Sequence, residues 1–280
     1  MQPFFSIVIP TLNEEKFLPK LLKDFSNQTN KEFEIVVADG LSVDSTKDQA
    51  ELFKNKLIIK FISSKKKNVA EQRNHGANFA KGRYLIFLDA DARVSDGFIK
   101  KIKNFISKNK GLLFIPYLSP EKKDEQYKLL FDIDNILVEF SAYLNRKFSL
   151  GGSMIIEKNL FKIVGGFDKK LFIAEDHELI QRISKWNVNP KFIRDISITF
   201  SMRRWKREGD LQVIYKHFVA TAYRLFGGEI KKKIFSYDMG GHLYDEKAVR
   251  IKRTNMLSSF STKKLVDKIK KTFNDLFAEE

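Results

Sequence analysis

Between Phe5 and Asp91 the chain alternates short apolar runs with segments of helical spacing, and no other feature restricts its fold so strongly. Phe5 to Pro10 predicts a first strand, apolar at nearly every position and therefore buried on both faces. Glu34 to Ala38, Leu57 to Ile62 and Tyr84 to Leu88 predict three more, the first of these ending at Asp39-Gly40 and the last at Asp89-Ala90-Asp91. Leu18, Leu21, Leu22 and Phe25 fall at helical spacing after the first strand, with Asn13 as the expected cap, and another helix is expected around Val69 to Ala80. The fold expected is α/β, a mainly parallel sheet flanked by helices. Ligands of such open sheets bind beyond the carboxyl ends of the strands, where Thr11, Asp39 and Asp89 are expected to converge.

The pattern loosens after Asp91. Phe98, Ile99, Ile102, Phe105 and Ile106 predict a helix, Leu112 to Tyr117 a strand, and residues from about Gln126 to Leu144 a long amphipathic helix. Gly151-Gly152-Ser153 marks a turn into a strand from Met154 to Glu157, and Glu175-Asp176 begins a further helix. A chain of 280 residues accommodates one full α/β domain with an appendage. The domain is expected over 1–205. A basic, amphipathic helical region is expected over 206–280, with Leu265, Ile269, Phe273, Leu276 and Phe277 on one side.

Lys and Arg number 51 against 35 Asp and Glu, a formal charge of +16, so an anionic partner is expected: nucleic acid, a phosphorylated substrate or an anionic membrane surface. The basic residues form scattered clusters such as Lys65 to Lys67 and Lys231 to Lys233, without a nucleic-acid-binding motif. The absence of cysteine excludes disulfides and thiolate metal sites. Met1 to Phe5 lack the basic start and apolar run of a signal peptide, so a cytoplasmic location is expected. The best spanning candidate, Leu211 to Phe226, is interrupted by Lys216, His217 and Arg224, so no membrane-spanning helix is expected.

Asp89 and Asp91 stand two apart at a strand end, and if strand geometry persists both carboxylates point to one side. Two hard oxygen ligands suit Mg2+ or Mn2+, with water and a diphosphate completing the shell. The same pattern at Asp132-Ile133-Asp134 reads instead as the polar face of a helix. Asp39 is placed to accept from a base N–H or a ribose hydroxyl, with Gly40 admitting a close backbone approach by the ligand; the alternative is a turn and helix cap built from Asp44, Ser45 and Thr46. Arg73 is a phosphate or base contact, or a solvated arginine. Glu175 and Asp176 either favour a helix N-terminus by their charge or act as a general base.

Taken in order, six segments resemble the family 2 glycosyltransferases with the GT-A fold, over Phe5 to Gly209: Ser6 to Glu15, Val37 to Thr46, Arg73-Asn74, Phe87 to Asp91, Gly165-Gly166-Phe167-Asp168 and Glu175-Asp176. The resemblance implies a nucleotide-binding half over 1–91 and an acceptor half over 92–205. It implies a nucleoside held by Pro10, Thr11, Asn13, Glu14 and Asp39, and a Mn2+ or Mg2+ diphosphate held by Asp89 and Asp91, with Ala90 between them. Asp176, beside Glu175, is the implied base for an inverting transfer. The donor implied is a nucleotide-diphosphate sugar, a UDP-sugar first, and the acceptor a glycan or lipid-linked hydroxyl.

Where processive synthases of this family carry Gln-x-x-Arg-Trp, this chain reads Ser201-Met202-Arg203-Arg204-Trp205, which favours single-sugar transfer; Arg203 and Arg204 remain candidates to clamp the diphosphate. A histidine that family members place after the catalytic region has two candidates, His217 and His242. Competing readings are a nucleic-acid-binding protein, which the carboxylates expected in the cleft oppose, and an inactive relative that binds nucleotide sugar. A sugar nucleotidyltransferase ranks low, because Pro10 to Glu15 holds neither glycine nor a basic residue.

Overall fold

Continuous apolar runs need partners on both sides and cover on both faces, and the first strand obtains them. β1 (Phe5–Thr11) lies between β2 (Phe33–Asp39) and β4 (Tyr84–Phe87), with β3 (Ile59–Ser63) outside β2, all four parallel. Every residue of β1, β2 and β4 is buried. Pro10 is tolerated in β1 because the β1–β4 register ends at Val8 and Phe87, leaving the proline beyond that ladder. The computed structural model describes residues 2–122, 124–142, 147, 149, 152–171, 174–203 and 241.

The second half makes the sheet mixed. β7 (Met154–Glu157) runs antiparallel to β4, and β6 (Leu113–Pro120) antiparallel to β7. β8 (Lys191–Phe200) runs parallel to β6, and a two-residue β5 (Arg93–Val94) closes the edge antiparallel to β8. The eight strands stand in the order β3-β2-β1-β4-β7-β6-β8-β5.

Alternation along the strands divides the core. Ile7, Ile9, Ile35, Val37, Ile86 and Leu88 pack on one face with α1 (Leu18–Ser26) and α4 (Phe98–Asn109). Val8, Leu85, Phe87, Met154 and Ile156 pack on the other with residues of α3 (Val69–Phe79), α6 (Lys158–Ile163) and α7 (Glu175–Ser184). A short α2 (Thr46–Glu51) follows the loop after β2. α5 (Glu125–Ser141) buries Tyr127, Phe131, Asn135 and Val138, and the Asn135 amide spans the backbone N–H and carbonyl of Leu118 at 2.9 and 2.8 Å.

Asn13 does not cap α1. That helix starts at Leu18 with Phe17 at its cap and a proline in its first turn, while Asn13 takes a left-handed conformation (φ 53°) in the loop before it. The chain divides into two compact units, Met1–Ser201 with Met239–His242, and Met202–Asp238 with Leu243–Glu280. The expected amphipathic region over 206–280 lies outside the described residues, Gly241 excepted. No helix among the described residues is long and apolar enough to cross a membrane.

Candidate active site

The loops that follow β1 and β2 are tied into one surface. Asp39, 4% exposed, accepts from the Thr11 hydroxyl (3.0 Å), the Ser42 hydroxyl (2.5 Å) and the Ser42 backbone N–H (2.9 Å). Asn13 answers from the other side: its N–H donates to Ser42 Oγ (2.7 Å) and its side-chain oxygen accepts from Val43 N–H (2.8 Å). The Glu14 N–H donates to Thr46 Oγ1 at 2.8 Å, and the Asp44 carboxylate accepts from the N–H groups of Glu15 and Thr46. Gly241, far along the chain, donates its N–H to the Leu12 carbonyl at 3.0 Å. Asp44 and Thr46 thus satisfy backbone N–H groups of this loop, whereas Ser45, the N-cap residue of α2, makes no side-chain cap hydrogen bond; Asp39 shapes the same loop. The close approach at Gly40 is made by the protein itself: a Cβ there would lie 1.8 Å from Gln72 Nε2 of α3.

Beyond β4 the strand geometry does not persist. β4 ends at Phe87, and the Ala92 N–H closes a turn onto the Asp89 carbonyl at 3.0 Å, so Asp89, Ala90 and Asp91 are presented by a turn. Ala90 is buried and both carboxylates are half-buried. The second Asp-x-Asp lies on α5, where Asp132 is exposed. Asp134 is half-buried, with burial raising its carboxyl from an ordinary 3.8 to about 6.

Arg73 on α3 is 2% exposed. Its Nη2 donates to Asp89 Oδ1 at 2.8 Å and its Nη1 to Glu175 Oε1 at 2.5 Å, and its guanidinium lies 5.5 Å from the Phe167 ring centre. Its Nε is buried without a hydrogen-bond partner. Burial works against the guanidinium's charge, but the Asp89, Glu175 and Asp176 carboxylates outweigh it and hold the group protonated more firmly than usual. The solvated-arginine reading does not describe this position. Glu175 is pushed up by burial, with Arg73 opposing the rise.

Asp176, 6% exposed in the first turn of α7, accepts at Oδ2 from Ser149 Oγ (2.9 Å) and from the Gly152 N–H (3.1 Å), and at Oδ1 from the His177 N–H (2.9 Å). Next to Arg73, the Asn74 amide donates to the Phe167 carbonyl and accepts from its N–H, both at 2.8 Å, which pins the Gly165 to Asp168 turn to α3. Sequence reasoning gave no role to Gln72, Asn74, Ser149 or Gly152. Asn74 and Gly152 lay within quoted motifs, but their partners stand too far away in the chain for spacing to reveal them.

Asp89 and Asp91 fit a hard divalent cation by donor chemistry, with the rest of its shell left to a diphosphate and water. Among the described residues no group of three or more His, Cys, Asp or Glu gathers to hold a metal alone. Arg203 is half-buried, while Arg204, His217 and His242 lie outside the described residues.

The family model for glycosyl transferase family 2 matches residues 6–164. The chain belongs to glycosyl transferase family 2. The PGL/p-HBAD biosynthesis glycosyltransferase of Mycobacterium bovis is 27% identical over 230 residues, covering 81% of this chain and 78% of that relative. The poly(ribitol-phosphate) beta-N-acetylglucosaminyltransferase TarS of Staphylococcus aureus is 31% identical over 109 residues, 38% of this chain and 19% of its own. Among solved structures, S. aureus TarS 1-349 in complex with UDP-GlcNAc aligns with a TM-score of 0.59 at 22% identity, over 82% of this chain and 68% of that one. The mannosyltransferase PcManGT from Pyrobaculum calidifontis, in complex with GDP-Man and Mn2+, aligns with a TM-score of 0.62 at 18% identity, over 80% and 65%. The fold is GT-A-like, and this family 2 glycosyltransferase builds it with the mixed sheet described above.

Proposed function

We propose that this glycosyltransferase transfers a single sugar, with inversion, from a nucleotide-diphosphate sugar to a hydroxyl of a cell-surface or lipid-linked glycan. The observation that carries the proposal is the shared guanidinium. Arg73 binds Asp89, the candidate diphosphate end, and Glu175, neighbour of the candidate base, so both belong to one site. A UDP-sugar is the favoured donor, supported by the TarS complex with UDP-GlcNAc.

In this reading the loop of Asn13, Glu14 and Asp39, with Pro10 and Thr11 beneath it, takes the nucleoside, and Asp89 and Asp91 hold Mn2+ or Mg2+ against the diphosphate. When bound, the cation stabilises the negative charge that grows on the leaving diphosphate. The Asp176 carboxylate takes the proton of the acceptor hydroxyl while that oxygen bonds to the anomeric carbon. The bond from that carbon to the diphosphate oxygen breaks, and the nucleoside diphosphate departs with the bonding pair. Among the described residues the Ser149 hydroxyl and the N–H groups of Gly152 and His177 donate to Asp176, an arrangement that suits the acceptor-only carboxylate a base requires. Placement at the cytoplasmic face of a membrane is part of the same proposal, motivated by the basic 206–280 region.

Thermal stability with UDP-, GDP-, CMP- and dTDP-sugars, each with and without Mn2+ or Mg2+, tests the donor assignment. One nucleotide class should stabilise the protein in a metal-dependent way, and Asp89→Ala or Asp91→Ala should remove the metal dependence. Asp176→Asn should bind donor and lose transfer, and the product of the wild-type enzyme should carry the inverted anomeric configuration by NMR. Full transfer by Asp176→Asn, or a retained configuration, overturns the mechanism.

A further inference from the structure

An arginine in a cleft that binds phosphates is most simply a phosphate ligand. The surroundings of Arg73 point elsewhere. Both terminal nitrogens are engaged, by Asp89 at 2.8 Å and Glu175 at 2.5 Å, and the residue is 2% exposed. The partners lie 16 and 102 positions away, one after β4 and the other in the first turn of α7. A buried fork holding two carboxylates at fixed angles determines their separation far better than either loop does alone.

A further residue lies close against the terminal nitrogens of the guanidinium. Gly152 adopts φ +64°, and a Cβ there would lie 2.3 Å from Arg73 Nη2. The same residue donates its N–H to Asp176 Oδ2 at 3.1 Å. Gly152 thus leaves no room for a side chain beside the cation and contacts the base with its amide. Glu175 is joined to Asp176 through one peptide bond. Asp89, Arg73, Glu175, Gly152 and Asp176 form one connected set, whose members come from a turn, two helices and a loop.

We infer that Arg73 is a positioning residue: it holds the diphosphate end of the site, through Asp89, in register with the base end, through Glu175 and Gly152, and takes no part in nucleotide binding. The inference rests on the proposed transferase mechanism and deepens it. A displacement of about 1 Å between reacting groups lowers rates on the order of 100-fold without a matching loss of binding. The effect of losing Arg73 is therefore on kcat.

The test uses the full chain. Arg73→Met keeps the bulk and removes the charge, and Arg73→Lys keeps the charge and removes the fork. Calorimetric binding of UDP in metal-free buffer reads the nucleotide site, and UDP release from UDP-GlcNAc with Mn2+ reads turnover. UDP affinity is expected to change less than threefold in both variants, kcat to fall about 100-fold in Arg73→Met, and Arg73→Lys to recover part of that loss. Arg73→Gln, which keeps a polar side chain without the charge or the fork, is expected to lower kcat in the same way, and it serves as the test should Arg73→Met not fold. UDP affinity lost tenfold or more with kcat retained overturns the inference in favour of a phosphate ligand. A lower melting temperature with kcat unchanged overturns it in favour of a purely structural role. Wild-type protein that neither binds UDP nor releases it from the sugar nucleotide removes the donor reading itself, a result distinct from either variant outcome.

Discussion

Asp134 offers a stability test whose sign depends on pH. The residue lies on α5 at half burial and takes part in no hydrogen bond or ion pair among the described residues, and burial raises its carboxyl from 3.8 to about 6. Below about pH 4 the group is protonated in both the folded and the unfolded chain and contributes nothing to the balance. Between about 4 and 6 the folded chain retains a proton that the unfolded chain has released, so raising the pH favours unfolding; above about 6 the whole penalty is present. At about 1.4 kcal/mol per pH unit, the interval from 3.8 to about 6 corresponds to about 3 kcal/mol, a ceiling because the side chain keeps some water contact. Asp134→Asn removes the charge and keeps the shape. Urea unfolding should give nearly equal midpoints for the two proteins at pH 4, and at pH 8 a variant midpoint higher by on the order of 1 M. The other titrating groups are common to both proteins and cancel in the difference. A gap of the same size at pH 4 and pH 8, or none at pH 8, refutes the argument that burial sets this carboxyl.

Leu41 holds a left-handed conformation (φ 68°) in which a side chain costs about 1–2 kcal/mol. Leu41→Gly should therefore hold or raise stability, after the added freedom of the unfolded chain is subtracted, and Leu41→Val should lower it by more than about 1 kcal/mol, both read by denaturant midpoints. Asn74→Ala removes two backbone contacts to Phe167 and should cost about 2–4 kcal/mol, with Asn74→Asp recovering only the half that accepts from the N–H. Gly40→Ala should cost about 1–2 kcal/mol in the wild-type background and much less together with Gln72→Ala, since a new Cβ meets Gln72 Nε2 at 1.8 Å; equal costs in the two backgrounds would place the conflict elsewhere.

The parallel half of the sheet was legible because β1, β2 and β4 are buried throughout and read as mainly apolar runs. β8 was not legible. Lys191, Arg194 and Asp195 interrupt its pattern, and its pairing with β6 slips between Pro116 and Tyr117. β5 is two residues long and carries no periodicity at all. At the site, residue type was legible and geometry was not. Asp89 and Asp91 stand out in the sequence as candidate hard ligands, but the turn that replaces the strand after Phe87 follows from the Ala92–Asp89 hydrogen bond, which spacing does not encode. Asn13 has the chemistry of a helix cap and is used instead for a loop, because Ser42 and Val43 offer partners that the start of α1 does not.

What organises the site is a helix more than its loops. Gln72, Arg73 and Asn74 are consecutive on α3, and successive helical residues point about 100° apart, so each reaches a different segment. Gln72 meets Gly40 after β2, Arg73 meets the turn after β4 and the start of α7, and Asn74 meets the turn at Phe167. One turn of helix thus fixes four connections relative to one another. α3 can come close enough to do so because its sheet-facing side carries small residues, Ala70 and Ala77 among them, in the core shared with Val8 and Phe87. Groups held by a helix packed on a sheet vary in position less than groups held by loops alone. The carboxylates at the two ends of the site, though they arise on a turn and a distant helix, therefore inherit the rigidity of the sheet through Arg73.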